Sequence, residues 1–345
     1  MRSARAPLFL LTAVLLTGCP PDLSGYTIHP GEQVDGGGAP PIDGGGRPNP
    51  IDLGTPCPDP HLVMSARTSS SSGSARLVRF DPSARTPCRA SSVLEVQAAF
   101  GTEIADVAGW PGVGEVLALD QAVLALDAEG FPRWRYQPFD EYYFVPAQLA
   151  VVPMAGGPRV ALLWYEQAGR EPAGVLFFDG NGVQRGAITD LPFSHYHFTA
   201  SPDGSSAILM SPNYGPVRRF VVTEGTTALR EADGTDLFDI DSAGQFEELD
   251  ADVASARLAV ALTNGVASWT FGGPAPAPMT CPSYCTSFDD AAVDPTRADR
   301  VFAICSGNGD RHLVHVTPGG CELMIDGTTL GTRDAVGITL VRTAL

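Results

Sequence analysis

The residues best able to do chemistry are few and scattered. His195-Tyr196-His197 sets two imidazoles two residues apart, which on a strand puts both on one face at a separation able to grip a metal. No recognisable third ligand accompanies them, so the simpler reading is a pair of rings lining a sheet surface. His312 and His315 fall on opposite faces of a strand and do not converge in that way. Asp236, Asp239 and Asp241, followed by Gly244, form a loop of hard oxygen donors of the kind calcium takes, in a chain where acidic surface loops are common. Cys281 and Cys285 have a C-x3-C spacing, but Pro282 stands between them and no histidine is near, unlike the paired clusters of structural zinc sites. Asp140-Glu141-Tyr142-Tyr143-Phe144 couples acids to aromatics, a mixture that anchors interfaces and also fills packed interiors. There is no G-x-S-x-G elbow, no H-E-x-x-H pair, no P-loop and no EF-hand loop. The sequence therefore names no catalytic residue, no metal ligand and no cofactor.

Seven cysteines are present. Setting Cys19 aside leaves Cys57, Cys88, Cys281, Cys285, Cys305 and Cys321, an even set that in an oxidising compartment reads as disulfides. Cys57 and Cys88 sit at the two ends of the first strand pair and are expected to bond, pinning the start of the folded body. The other four allow three pairings, among which the sequence does not choose.

The elements that carry these residues are short strands ending in turns. An apolar strand running into an Asp, Gly or Pro turn recurs at Leu77–Pro82, Val123–Gly130, Val175–Gly182, Arg219–Gly225, Ala267–Gly273 and Leu313–Gly319. The repeat is about 47 residues, within the 40–50 typical of four-stranded propeller blades. Five of the six copies follow a second apolar strand, as in Arg257-Leu258-Ala259-Val260-Ala261-Leu262. Ser201-Pro202-Asp203-Gly204 precedes one of these second strands, where Pro presets φ and Gly supplies a positive φ. That turn resembles the turn of WD40-like and TolB-like propeller repeats, which implies a propeller body. Ala335–Val341 is a lone strand after the sixth repeat, and the first repeat lacks an innermost strand; joining the two closes a ring. The expected fold is thus all-β, a six-bladed β-propeller, or a seven-bladed one if two units are merged. A pair of β-sandwiches is the rival.

The N-terminus is of another kind. Arg2 and Arg5 precede the apolar stretch Leu8–Leu16, which is of signal-peptide length and too short to cross a bilayer stably. It closes with Leu16-Thr17-Gly18-Cys19 and then Pro20-Pro21. This resembles the bacterial lipobox, which implies cleavage before Cys19 and acylation of that cysteine with chains such as palmitate. Several chains together anchor durably, at about 0.8 kcal/mol per buried methylene. Residues 1–18 then form the signal peptide and 19–56 a lipidated start with a Pro/Gly/Asp linker, expected to be disordered. A coil of that length reaches roughly 30–37 Å. Residues 57–345 form the propeller domain.

The net charge is −17, with 22 arginines and no lysine, which argues against nucleic acid as a partner and against docking on anionic lipid. The expected function is a cell-envelope lipoprotein, tethered to a bilayer through Cys19 at the periplasmic face or the cell surface. It would act as a binding or scaffold module for an envelope partner. The alternative is a propeller enzyme, a hydrolase, lyase or quinone- or metal-dependent dehydrogenase, with its site at a mouth of the channel. A third reading is an assembly subunit with no ligand of its own.

Overall fold

A computed structural model describes residues 52–54, 57–67, 75–84, 86–92, 104–119, 122–127, 132–136, 144–166, 172–192, 197–240, 244–326 and 334–342. The signal segment, Cys19 and most of the linker lie outside these residues.

Strands dominate because the chain alternates short apolar runs with turns that stop them. At Asp179-Gly180-Asn181-Gly182 the Asp179 carboxylate accepts the N–H groups of Asn181 and Val183. Gly182 there takes a φ of 75°, and a Cβ on it would lie 2.7 Å from the Trp134 ring. At Ser201-Pro202-Asp203-Gly204 the Gly204 N–H returns to the Ser201 carbonyl, with a φ of 72° at the glycine.

The strands form six antiparallel sheets arranged as a six-bladed β-propeller. From the axis outward, blade 2 runs Ile104–Trp110, Gly114–Leu119, Val123–Leu126 and Pro132–Tyr136. Blade 3 begins with Phe144–Val152, blade 4 with His197–Ala200, blade 5 with Phe246–Asp252 and blade 6 with Ser287–Val293. The recurring strand read from the sequence is the third of each blade, and the strand before it is the second. Blade 1 takes its inner strand from the far end of the chain: Asp334–Val341 pairs with His61–Arg67, with Leu62 opposite Leu340 and Met64 opposite Ile338. Blade 1 also has a fifth, outermost strand, Asp52–Gly54, paired with Thr86–Ser92, so the ordered body starts five residues ahead of position 57.

All six remaining cysteines are bonded. Cys57 joins Cys88, Cys281 joins Cys321 and Cys285 joins Cys305. The last two bonds hold the chain entering blade 6 to its outer strand and to its second strand.

The core lies between blades. Along Val116-Leu117-Ala118-Leu119 every side chain is buried. Val116 and Ala118 pack toward blade 3 with Trp134, Leu162 and Phe178, while Leu117 and Leu119 pack toward blade 1 with Val63, Leu77 and Val341. In blade 5, Leu258, Val260 and Leu262 face blade 4, and Ala259 and Ala261 face blade 6. A strand covered on both faces must be apolar at every position, which is why these runs lack the alternation of a half-exposed sheet.

Burial of this kind predicts a sharp contrast between two substitutions. Leu117→Ala should cost roughly 2–5 kcal/mol by urea denaturation. Val221→Ala, at a side chain 59 % exposed, should stay within about 0.5 kcal/mol. Equal effects at the two positions would contradict the inter-blade core.

Candidate functional site at the channel mouth

The inner strand of each blade is a sheet edge, and its outward N–H groups have no strand to pair with. Buried donors must find acceptors, and here side chains supply them. The Asp106 carboxylate of blade 2 accepts the Leu149 N–H of blade 3 at 2.6 Å. The Gln148 side-chain oxygen of blade 3 accepts the Phe198 N–H of blade 4 at 3.0 Å. Asp290 of blade 6 accepts the Ile338 N–H of blade 1 at 2.6 Å. Asp250 of blade 5 accepts the Val293 N–H of blade 6 at 3.3 Å and the Thr339 hydroxyl of blade 1 at 2.8 Å. Each of these bonds crosses from one blade to another.

Bulges aim these side chains. The pairing register slips by one residue just before Asp106, Gln148, Glu248, Asp290 and Gly337. A bulge bends its strand and redirects the residue that follows. In blade 1 that residue is Gly337, where a Cβ would lie 3.1 Å from an Asp290 oxygen and 3.3 Å from the Ser65 hydroxyl. Glycine keeps that space clear for the Asp290 carboxyl.

The result is a girdle of carboxyls around the axis, with Asp290 buried and Asp106, Glu248 and Asp250 half-buried. Burial raises Asp106 and Asp250 to about 7 and outweighs their hydrogen bonds. Burial first, then the charge of Asp106, raises Glu248 well above the usual range; burial, then Glu248, does the same to Asp290. Glu248 is bonded by the Gln148 amide at 2.7 and 2.6 Å, and among the described residues the hydrogen-bond donors to all four acids are neutral.

Elsewhere carboxylates meet arginine or histidine. Burial would raise Glu115 of blade 2, but Arg79 and then His61 of blade 1 outweigh it and hold it at about 2. Asp252 accepts two bonds from Arg342 at 2.7 and 2.8 Å, which with Ser255 keep it below its ordinary value despite its burial. Asp294 bonds His315 at 2.8 Å, and that ring stacks on Phe302.

At one end the channel opens into a funnel of about 350 Å³, within the size of small-molecule sites. Ala108, Leu149, Val151, Pro153, Ala200 and Val253 give it aliphatic walls. Asp250, Asp252, Thr199, Thr339 and Arg342 bring polar groups into it. Thr199 is 6 % exposed, and among the described residues its hydroxyl has no hydrogen-bond partner.

The residues singled out by sequence do not assemble here as ligands. His197 lies on the inner strand of blade 4, while His195 is outside the described residues. Asp236, on an outer strand, bonds Arg218 at 2.7 Å; Asp241 is outside the described residues. Residues 140–143 are likewise outside, and Phe144 opens the inner strand of blade 3. Cys281 and Cys285 are consumed by disulfides. Among the described residues no three His, Cys, Asp or Glu side chains converge as metal ligands. Sequence reasoning missed the girdle and Thr199. A signal was present: acids at alternate positions in Glu248-Leu249-Asp250-Ala251-Asp252, on a strand that falls at the inner position of the repeat.

No protein-family model matches the chain, and no curated protein matches it in sequence. Solved structures resemble it in fold. A Bacteroides caccae protein of unknown function aligns over 83 % of this chain and all of its own, at 11 % identity and a TM-score of 0.52. A chain of a nidogen/laminin complex aligns over 83 % of this chain and all of its own, at 13 % identity and a TM-score of 0.59. At these identities the likeness carries the fold alone.

The girdle sets a pH dependence. Unfolded, these carboxyls titrate near their ordinary values; folded, Asp106 and Asp250 titrate near 7. Between about pH 4 and 7 the folded state holds more protons, so stability falls as pH rises through that window. Glu115 acts in the opposite sense, and its contribution is lost as pH falls from about 4.5 through 2. The melting temperature should therefore peak near about pH 4 and decline until about pH 7, with Asp250→Asn flattening the decline. A flat wild-type profile from pH 5 to 8 would show that these acids ionise without cost.

Proposed function

We propose that this chain is an exported lipoprotein, tethered through acylated Cys19 to a membrane of the cell envelope, whose propeller is a binding module with its site in the channel-mouth funnel. The observation that carries the binding half is the funnel, an open concavity where aliphatic walls meet convergent polar groups, among them a threonine hydroxyl that bonds no described residue. The tether rests on Arg2, Arg5, the apolar stretch Leu8–Leu16 and Leu16-Thr17-Gly18-Cys19. Three disulfides suit an oxidising compartment outside the cytoplasm. A protein partner of the envelope, recruited around the same mouth, is compatible with this reading.

One observation favours the enzymatic alternative: Asp250 faces the funnel and is held at about 7 by burial, the range in which a carboxyl exchanges protons at neutral pH. The other polar side chains lining the funnel are two threonines and the Asp252–Arg342 pair, whose members are already bonded to each other. That set includes no activated nucleophile, so binding is the conclusion.

The wild-type chain should incorporate labelled fatty acid, sediment with membranes and resist a high-salt wash. Cys19→Ala should be unlabelled and appear in the soluble fraction. In-cell cross-linking should yield an envelope partner with the anchored form alone. A Cys19→Ala chain that stays membrane-bound to the same extent would overturn the tether. Turnover of a small substrate, lost in Asp250→Asn, would select the enzyme.

A further inference from the structure

The charge and walls of the funnel define a ligand class, an inference that rests on the binding reading above. We infer that the funnel is a site for a primary ammonium carried on a compact aliphatic body. The ammonium is held by Asp250 and Thr199, with the hydrocarbon against Ala108, Leu149, Val151 and Ala200.

The first support is Thr199. It lies on the inner strand of blade 4, lines the funnel, and is 6 % exposed with a hydroxyl that bonds no described residue. Its oxygen is not one of the fully enclosed unpaired polar atoms of the described residues, so it opens onto the funnel, a polar group set in an otherwise aliphatic wall and accessible to a donor there. The hydroxyl gains a purpose when a ligand donates to it.

The second support is charge. The carboxyl of Asp250 accepts from the Thr339 hydroxyl and the Val293 N–H, both neutral. Its electrostatic neighbours are Glu248 and Asp252 on its own strand, Asp290 on blade 6 and Asp106 on blade 2; Thr199 on blade 4 and Thr339 and Arg342 on blade 1 line the same funnel, and Gln148 and His197 lie on the inner strands of blades 3 and 4. The arginine of this set is committed to Asp252 by two bonds. A buried carboxyl without a counter-ion keeps its proton, and a cation from solvent replaces that proton. The exchange is balanced: the ammonium enters, the carboxyl ionises, and one proton leaves to solvent.

The third support is the wall chemistry. Among the described residues no aromatic ring lines the funnel, unlike the cage that quaternary ammonium groups occupy. Among the described residues no triad of metal-ligating side chains converges, which disfavours a bare metal ion. A primary ammonium offers three N–H donors, enough for both Asp250 and Thr199.

The test uses the full-length chain and three matched probes: cyclohexylmethylammonium, cyclohexylmethanol and cyclohexanecarboxylate, titrated by calorimetry and ligand-observed NMR at pH 5.5 and 8. The ammonium should bind, the alcohol at least about tenfold more weakly, and the carboxylate not measurably. Affinity should strengthen by up to about tenfold for each unit that pH rises toward about 7 and level off above it, with proton release seen as a buffer-dependent heat. Asp250→Asn should weaken binding by about tenfold or more and remove the pH dependence. Thr199→Val should weaken it about threefold to tenfold at an unchanged melting temperature, since Thr199 bonds nothing in the fold. Equal or tighter binding of the alcohol or carboxylate, reduced by Thr199→Val, would overturn the ammonium assignment while leaving the funnel as a site. Displacement of the ammonium by micromolar calcium chloride would reassign the site to a metal. Absence of binding by all three probes would overturn both this inference and the funnel as a small-molecule site.

Discussion

A propeller closes without hydrogen bonds between its sheets, and that leaves a row of N–H groups along every inner strand with nothing to donate to. Water satisfies such groups at a surface; within the packed ring it is largely displaced. This protein answers with side-chain acceptors that reach from one blade to the backbone of another: Asp106 to Leu149, Gln148 to Phe198, Asp250 to Val293, and Asp290 to Ile338. The bulges ahead of Asp106, Gln148, Glu248 and Asp290, and the missing side chain at Gly337, follow from the same need. They turn acceptors toward the axis and make room for them.

Using acids for this work has a consequence that amides avoid. Gln148 does the job without charge, whereas four carboxyls packed in one channel cannot all ionise cheaply. They answer burial by holding protons, and the fold is most at ease when they do. Glu115 shows the opposite arrangement in the same molecule, with the Arg79 guanidinium paired to it and the His61 ring alongside. The contrast separates two uses of buried acid. One ties neighbouring blades through a complete ion pair, and the other leaves a region of unspent negative character beneath an open funnel.

Much of the architecture is legible in the sequence because a blade has a period and a fixed internal order. The third strands, from Leu77–Asp81 to Leu313–Thr317, carry apolar runs into turn residues, and they identify their neighbours by position. Closure is legible from an extra strand at one end and a missing one at the other. The girdle is harder to read. A bulge adds a residue and breaks strict alternation, so Asp106 or Asp290 looks like a solvent-facing acid in a chain that has many. Thr199 carries no signal at all, since an unpartnered hydroxyl is a property of its surroundings. The histidine pair and the acidic loop drew attention for the opposite reason: their spacing is suggestive, but convergence depends on what other blades bring alongside.

The outermost strand of blade 1 has a mechanical meaning. Asp52–Gly54 joins the sheet at its rim, and just beyond it the Cys57–Cys88 bond fastens the incoming chain to the neighbouring strand. The inner strand Asp334–Val341 lies at the opposite, axial side of the same blade. A pull applied at Asp52 would therefore meet a covalent clasp at Cys57 before it reached the ladder that closes the ring.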